Sequence, residues 1–247
     1  MIKPEINSQK LPSWDLSDLY KTMDSPEIKK DLNLVDDLTK KFRKKYRGKI
    51  ISLKEKKFIK LFEDLEKLEL LSGRLLSFAY LLHCQKTICP NRSKFLSDVQ
   101  EKLTAFNSRI LFLTIEINKI SDKQYRKIVS RKSAIYKYKI FFDKTRSQRK
   151  YQLSEDLENL LNEYGSASRN SWCKLFDETI SEMNIEISGK QYSLEESLSL
   201  FQSPNSRKRE LVGIRLSNVF KENLKIYGRI TNSLAKEKQI EDNWRKF

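Results

Sequence analysis

Hydrophobic residues recur every three or four positions over most of this chain, the period of an α-helix. The clearest run has its apolar positions at Phe58, Leu61, Leu65, Leu68, Leu71, Leu75, Phe78 and Leu82. This spacing predicts one long helix that buries an apolar stripe along its length.

Capping residues predict where the first helices begin and end. Ser25 followed by proline is typical of a helix start, and Gly48 of a helix stop, so we expect a helix over residues 26–47. Ser52 and Glu55 have the spacing of a capping box, which predicts that Ser52 caps the long second helix.

The rest of the chain continues this helical pattern. Cys89-Pro90 should end the second helix, and a third helix is expected to run through to Leu113. Ser121 and Ser154 each precede acidic residues and should cap shorter helices. Ser203-Pro204 should open a final helix that runs to about residue 244.

One segment has the pattern of a β-hairpin instead. Residues 184–192 alternate apolar and polar side chains around Ser188-Gly189, and Ser193 should cap the helix that follows. The predicted fold class is therefore mostly α, a long-helix bundle with one small β-hairpin near 184–193.

The amino-acid composition excludes several kinds of functional site, although it says little more about the fold. The 247 residues include one histidine, His83, which excludes two-histidine zinc hydrolases built on this chain alone. Six glycines are few for a glycine-rich phosphate-binding loop. The sequence has no export-signal core, and its longest apolar runs fall far short of the roughly 20 residues of a membrane span.

Three cysteines, Cys84, Cys89 and Cys173, lack the spacing of a disulfide framework, which indicates a reducing compartment and a cytoplasmic protein. With His83 they could form a soft metal site, but structural zinc sites use tighter ligand spacing. His83 also cannot activate its neighbour Cys84, because adjacent helical residues point about 100° apart. We expect these residues to be structural.

Paired acidic residues are the remaining candidates for acid–base chemistry. They are Glu63/Asp64, Glu155/Asp156, Glu195/Glu196 and Glu241/Asp242. Most lie at helix starts or on polar faces, where the helix dipole or solvation accounts for them. The sequence therefore predicts no catalytic, cofactor-binding or metal-binding residue.

The net charge of +16 is concentrated in two stretches, Lys40–Lys60 and Arg126–Lys150, both of which contain aromatic residues. Basic grooves with aromatic platforms bind single-stranded nucleic acid, so a basic helical nucleic-acid-binding protein is the alternative function. The competing interpretation is that these are solvated helix faces with their aromatic side chains turned inward.

Several segments resemble oligoendopeptidase F, a zinc peptidase family related to thimet oligopeptidase. Residues 11–20 read LPSWDLSDLY, close to the family's L-P-x-W-D-L-S-D-L-Y signature. Further similar blocks follow in the family's order at 42–49, 152–155, 171–178, 192–196, 203–204 and 235–245.

This resemblance implies a mostly helical, two-lobed enzyme that cleaves short peptides with a zinc ion held by an H-E-x-x-H helix. No residue of this sequence matches that motif, so we expect the chain to be inactive alone and to need no cofactor of its own. It resembles the N-terminal region over 1–183 and the start of the peptidase domain over 184–247, ahead of the zinc motif.

The resemblance leaves two versions of the function open. In one, a separate chain carrying H-E-x-x-H completes the enzyme, and apolar surface made for it is exposed on this chain. In the other, the gene is a relic without peptidase activity. In both, Trp14, Leu16 and Leu19 should anchor an N-terminal arm, and Trp172, Leu175 and Phe176 should form one buried helix face.

Overall fold

A computed structural model describes residues 14–247, so residues 11–13 of the opening signature and the segment tested for an export signal lie outside the described residues. The chain is mostly helical, with one two-stranded antiparallel sheet. Its helices are α1 (Pro26–Tyr46), α2 (Glu55–Cys84), α3 (Pro90–Ile110), α4 (Phe112–Lys119), α5 (Asp122–Ile128), α6 (Lys139–Ser147), α7 (Glu155–Ala167), α8 (Arg169–Ser181), α9 (Leu194–Ser199) and α10 (Ser206–Arg245). The strands are β1 (Ile185–Ile187) and β2 (Lys190–Tyr192).

The main hydrophobic core lies among α1 to α6. The stripe predicted for α2 supplies much of it, and Phe58, Leu61, Leu75 and Phe78 are each at most 1% exposed. The Phe62 ring stacks on the Tyr138 ring from the turn before α6, with 4.1 Å between centroids. Burial of this aromatic and aliphatic surface is the main source of stability for this part of the chain.

The described part of the N-terminal arm docks on this core, as predicted. Leu16 and Leu19 are half-buried against it, and the Asp15 carboxylate accepts the Ser17 amide at 2.9 Å. The Tyr20 hydroxyl donates to Asp31 of α1 at 2.7 Å. Trp14 is not an anchor, because 67% of its surface is exposed.

The capping box predicted at Ser52 is wrong. Helix α2 begins two residues later than a Ser52 cap requires, and Ser52 closes a short 3₁₀ turn by donating its hydroxyl to the Lys49 carbonyl. The Glu55 carboxylate instead accepts hydrogen bonds from the Ser133 hydroxyl and the Ala134 amide, at 3.0 and 2.7 Å. A long-range contact has replaced the local one.

Two other helix boundaries differ from the prediction. The third helix does not run to Leu113 without interruption, because it ends at Ile110 and α4 begins at Phe112 after Leu111. The final helix begins at Ser206 rather than at Ser203-Pro204, and Asn205 caps it by accepting the Lys208 amide. The predicted caps at Ser121, Ser154 and Ser193 are all confirmed.

The predicted β-hairpin is confirmed and begins a second, smaller core. Ser188 and Gly189 both adopt positive φ, at 53° and 77°, as a two-residue hairpin turn requires. Buried members of this core come from the connection after α8, from β1 and from the first half of α10, namely Met183, Ile185, Ile187, Val212 and Leu216. The boundary between residues 183 and 184 as a domain border stays a prediction.

Helices α7, α8 and α10 bury much less than α2. Neither α7 nor α8 has a fully buried residue, and the 40-residue α10 buries only Val212, Leu216 and Ile230. The predicted buried face of α8 is therefore wrong: Leu175 and Phe176 are 39% and 43% exposed, and Trp172 is half-buried. Their spacing is amphipathic, but little of this chain packs over them.

Candidate functional site

An open groove of about 690 Å³ lies between α7, the first turns of α8 and the C-terminal half of α10. We call it the α7–α10 groove. Leu161, Tyr164, Trp172 and Ile240 line it with apolar surface. A concave site of this size with a few polar groups is the default candidate for ligand binding.

A charged clamp closes one end of the groove. The Arg245 guanidinium, at the end of α10, makes two parallel hydrogen bonds to the Glu158 carboxylate of α7, at 2.7 and 2.9 Å. It also donates to Glu241 at 2.7 Å and to the Tyr151 carbonyl at 3.2 Å. Both side chains of the principal pair are mostly buried, at 19% and 16% exposed. The clamp fixes α10 against α7 across 87 residues of sequence.

The pKa of Glu158 reflects this clamp. Burial raises the pKa of the carboxyl group, but hydrogen bonds from Arg245 and from the Leu153 amide, together with the Arg245 charge, lower it more. The net result is a pKa below its ordinary value, so the ionised form is favoured. Arg245 has a raised pKa for the corresponding reason, chiefly its hydrogen bond to Glu158.

Unpaired positive charge lies further along the same groove. Arg229, Ser233, Lys236 and Ile240 follow one another at helical spacing along α10 and line it, and Arg169 faces them from the start of α8. Across residues 14–247, no carboxylate lies within ion-pair distance of Arg169, Arg229 or Lys236.

Acidic groups also line the groove, but each of them has a partner. The Glu237 carboxylate accepts the Ser168 hydroxyl at 2.9 Å, which joins the start of α8 to α10. Glu158 and Glu241 both bind Arg245. The groove therefore offers free cationic groups along one part and a slightly acidic clamp at its end.

The histidine and cysteines are not brought into a reactive cluster. His83 Nδ1 lies 3.3 Å from the Ser93 hydroxyl, and Cys84 and Cys173 are exposed free thiols. Cys89 precedes α3, where the Arg92 amide lowers the pKa of its thiol. Residues 14–247 contain no group of three or more His, Cys, Asp or Glu side chains arranged to hold a metal ion.

At least one carboxylate of each acidic pair has a structural partner in the fold. Asp64 accepts from Lys45 and from the Tyr46 hydroxyl, both at 2.7 Å, and Glu155 pairs with Arg47 at 2.7 Å. Glu196 completes the capping box at the start of α9. Glu241 belongs to the clamp, so it is the one member of these pairs that lines the α7–α10 groove.

The aromatic residues of the two basic stretches face inward. Phe42, Tyr46, Phe58 and Phe142 are each at most 3% exposed, and Tyr138 and Phe141 are half-buried. Tyr136 is the exception among these aromatic residues, with 41% of its surface exposed. The stacking platforms that single-stranded nucleic acid requires are thus mostly in the core, and the alternative function gains no support.

The sequence patterns did not single out the groove residues Arg169 and Arg229, and they included Lys236 only as one position of the block at 235–245. Each is an ordinary exposed cation in a chain rich in lysine and arginine. Their shared location depends on how α7, α8 and α10 pack, which no local pattern encodes. The blocks at 171–178 and 235–245 were the available signal, because both border the groove.

Comparison with known proteins agrees with this fold. Residues 116–184 match the N-terminal family model described as Oligopeptidase F. The crystal structure of oligoendopeptidase-F from Enterococcus faecium superposes with a TM-score of 0.77 and 16% sequence identity, over 90% of this chain and 43% of that chain. A search of curated proteins finds no match.

A second solved structure, of a protein from Chlamydophila abortus titled as a peptidase, has a TM-score of 0.54 and 14% identity, over 95% of this chain and 40% of that one. This chain thus spans less than half the length of both proteins. Its fold is similar to that of oligoendopeptidase-F, and the family model that residues 116–184 match describes an N-terminal region.

Proposed function

We propose that this chain is the non-catalytic helical part of an oligoendopeptidase F-like zinc metallopeptidase that cleaves short peptides. The observation that carries the proposal is the superposition of 90% of the chain on 43% of the Enterococcus faecium protein. The match to the family model over residues 116–184 is a separate, sequence-based support.

The zinc and its ligands belong to another part of this enzyme. The described residues do not fit a zinc site, since they bring no three potential ligands together, and the sequence contains one histidine. A catalytic zinc requires three protein ligands and an open position for water. We therefore assign no step of peptide hydrolysis to a residue of this chain.

Exposed apolar side chains on α10 support a catalytic part that packs against this one. Phe220 and Leu224 lie one turn apart and are 37% and 66% exposed, and Trp244 is 62% exposed. A helix that buries three of its 40 residues does not generate its own stability from packing. The remainder of the related fold is the occupant to which we assign this surface.

We place the protein in the cytoplasm. Its three cysteines are free thiols in the fold, which is typical of proteins in a reducing compartment. Within residues 14–247, no helix combines the length and apolar character needed to cross a membrane.

Affinity capture from cells of the source organism tests the proposal. The tagged protein is purified at native expression level, its associated polypeptides are sequenced by mass spectrometry, and the eluate is assayed with quenched fluorescent peptides. We expect an H-E-x-x-H sequence in the purified material and peptide cleavage that a zinc chelator abolishes and added Zn²⁺ restores. A pure, inactive product without that motif would identify the chain as a relic and contradict the proposal.

A further inference from the structure

We infer that the α7–α10 groove binds a short peptide in extended conformation, with the peptide's C-terminal carboxylate held by Arg169 and Arg229. This inference rests on the proposed function, because it assigns the peptide ligand of that function to a specific groove on this chain. The size, lining and charge of the groove support it.

The dimensions of the groove suit an oligopeptide. From Arg229 to Arg245 the groove follows 16 residues of α10, roughly 24 Å at a rise of about 1.5 Å per residue. An extended chain covers about 3.4 Å per residue, so this length accommodates about seven residues. A volume of about 690 Å³ is also within the range of small-ligand sites.

The lining offers groups for both the backbone and the side chains of such a peptide. The side chains of Asn232 and Ser233 line the groove and make no hydrogen bond within the described chain, so their polar atoms are free to pair with peptide N–H and C=O groups. Tyr164, Trp172 and Ile240 provide the apolar contacts that orient a ligand between polar groups.

Charge sets the direction of the peptide. Arg169, Arg229 and Lys236 form no ion pair with a carboxylate in residues 14–247. The Glu237 carboxylate accepts the Ser168 hydroxyl and keeps its negative charge, but the three cations outnumber it. Charge-assisted hydrogen bonds from guanidinium groups to a carboxylate are among the stronger polar contacts in proteins. The opposite end carries two carboxylates around one guanidinium, Arg245, which favours the cationic N-terminus of the peptide.

Titration calorimetry with this chain tests the inference. The probes are an alanine-rich heptapeptide containing one leucine and one tyrosine, with a free C-terminal carboxylate, and the same peptide as the C-terminal amide. We expect the acid to bind about tenfold more tightly than the amide, the usual effect of one charge-assisted contact. Equal affinity for acid and amide, or no binding of either peptide, would overturn the inference.

Matched substitutions separate this groove from the general attraction of a +16 protein for anions. Arg229→Gln and, independently, Arg169→Gln should remove most of the preference for the acid. Arg131→Gln removes the same charge from an exposed site outside the groove and should leave the preference unchanged. An equal loss in Arg131→Gln would show that net charge alone selects the acid and would overturn the assignment.

The two proposals can fail separately. If the chain binds the acid peptide but never copurifies with an H-E-x-x-H sequence, the peptide-binding groove is supported and the peptidase function is contradicted. If the chain copurifies with an active peptidase but shows no preference for the acid peptide when isolated, the peptidase function is supported and the peptide-binding groove is contradicted. Circular dichroism checks that each variant folds, which we expect because Arg229 is exposed and unpaired.

Discussion

Arg245 and Glu158 are 87 residues apart in sequence and form a two-point ion pair, with N–O distances of 2.7 and 2.9 Å. The pair joins the last turn of α10 to the first turns of α7 in a region with few fully buried side chains. The pair is therefore one of the contacts that hold the C-terminal end of α10 against α7.

Removing one partner of this pair should destabilise the protein. We expect Glu158→Gln to lower the free energy of unfolding by about 2 kcal/mol, below the range for fully buried pairs because both side chains retain some exposure. Urea unfolding of Glu158→Gln, Arg245→Met and the double variant gives the coupling energy. Strictly additive effects of the two single substitutions would show that the pair contributes nothing as a pair.

Acid should weaken the same contact. The folded-state pKa of Glu158 lies below its ordinary value, so its stabilising contribution is complete above an unfolded-state pKa of about 4.3 and is lost as pH falls through the folded-state pKa. The stability difference between wild type and Glu158→Gln should therefore shrink between pH 7 and about pH 3. Unfolding curves at both pH values measure it, and a difference that grows in acid would contradict the assignment.

The charged residue Glu116 has a structural role, because it accepts hydrogen bonds from two backbone amides. It is 8% exposed, and its two carboxylate oxygens accept the backbone amides of Gly48 and Ile50, at 2.6 and 3.2 Å. Glu116→Ala removes the acceptor of both amides, of which the Ile50 amide is buried, and we expect a loss of about 1–3 kcal/mol in unfolding free energy. The exposed Glu63→Ala is the control and should change stability by less than about 0.5 kcal/mol.

Two glycines should respond to alanine in opposite directions. Gly48 has a φ of 76° and open space where a Cβ atom would lie, so Gly48→Ala should cost about 1 kcal/mol through backbone strain alone. Gly73 lies on the exposed side of α2 with open space around it, and Gly73→Ala should stabilise by about 0.5–1 kcal/mol. Thermal unfolding of the two variants decides both signs, and the same sign for both would show that backbone conformation is not the controlling factor.

The isolated chain should self-associate through α10. Leu224 is 66% exposed on this helix, beside the half-exposed Phe220, and contiguous apolar surface of this kind promotes association in water. Light scattering after size exclusion should show concentration-dependent oligomers that Leu224→Glu reduces. Leu70→Glu changes a 76% exposed leucine on α2 and should have little effect. A monodisperse wild-type monomer at high concentration would count against an unsatisfied α10 surface.

Local patterns predicted most of the helix and hairpin boundaries. Ser121, Ser154 and Ser193 cap their helices because each cap needs residues no more than three positions away. Ser188 and Gly189 likewise form a two-residue turn in which both adopt the positive φ that such a turn requires. Because each of these interactions involves residues only a few positions apart, the local sequence is enough to predict it.

Long-range competition explains the failures. Glu55 does not form the predicted capping box with Ser52, because the Ser133 hydroxyl and the Ala134 amide, 78 and 79 residues away in the sequence, donate to its carboxylate. The spacing of Leu175 and Phe176 correctly identifies an amphipathic helix, but periodicity does not say whether a partner covers the apolar side. The α7–α10 groove was unpredictable for the same reason, since residues far apart along the chain form it.

The most direct test of the central claim combines capture with substitution on α10. Wild type, Leu224→Glu and Leu70→Glu are tagged and expressed in the source organism, and each eluate is assayed for chelator-sensitive peptide cleavage and for an H-E-x-x-H sequence. The account predicts cleavage and the motif with wild type and Leu70→Glu, and a large loss of activity with Leu224→Glu. Absence of both from the wild-type eluate, or activity unaffected by Leu224→Glu, would contradict it.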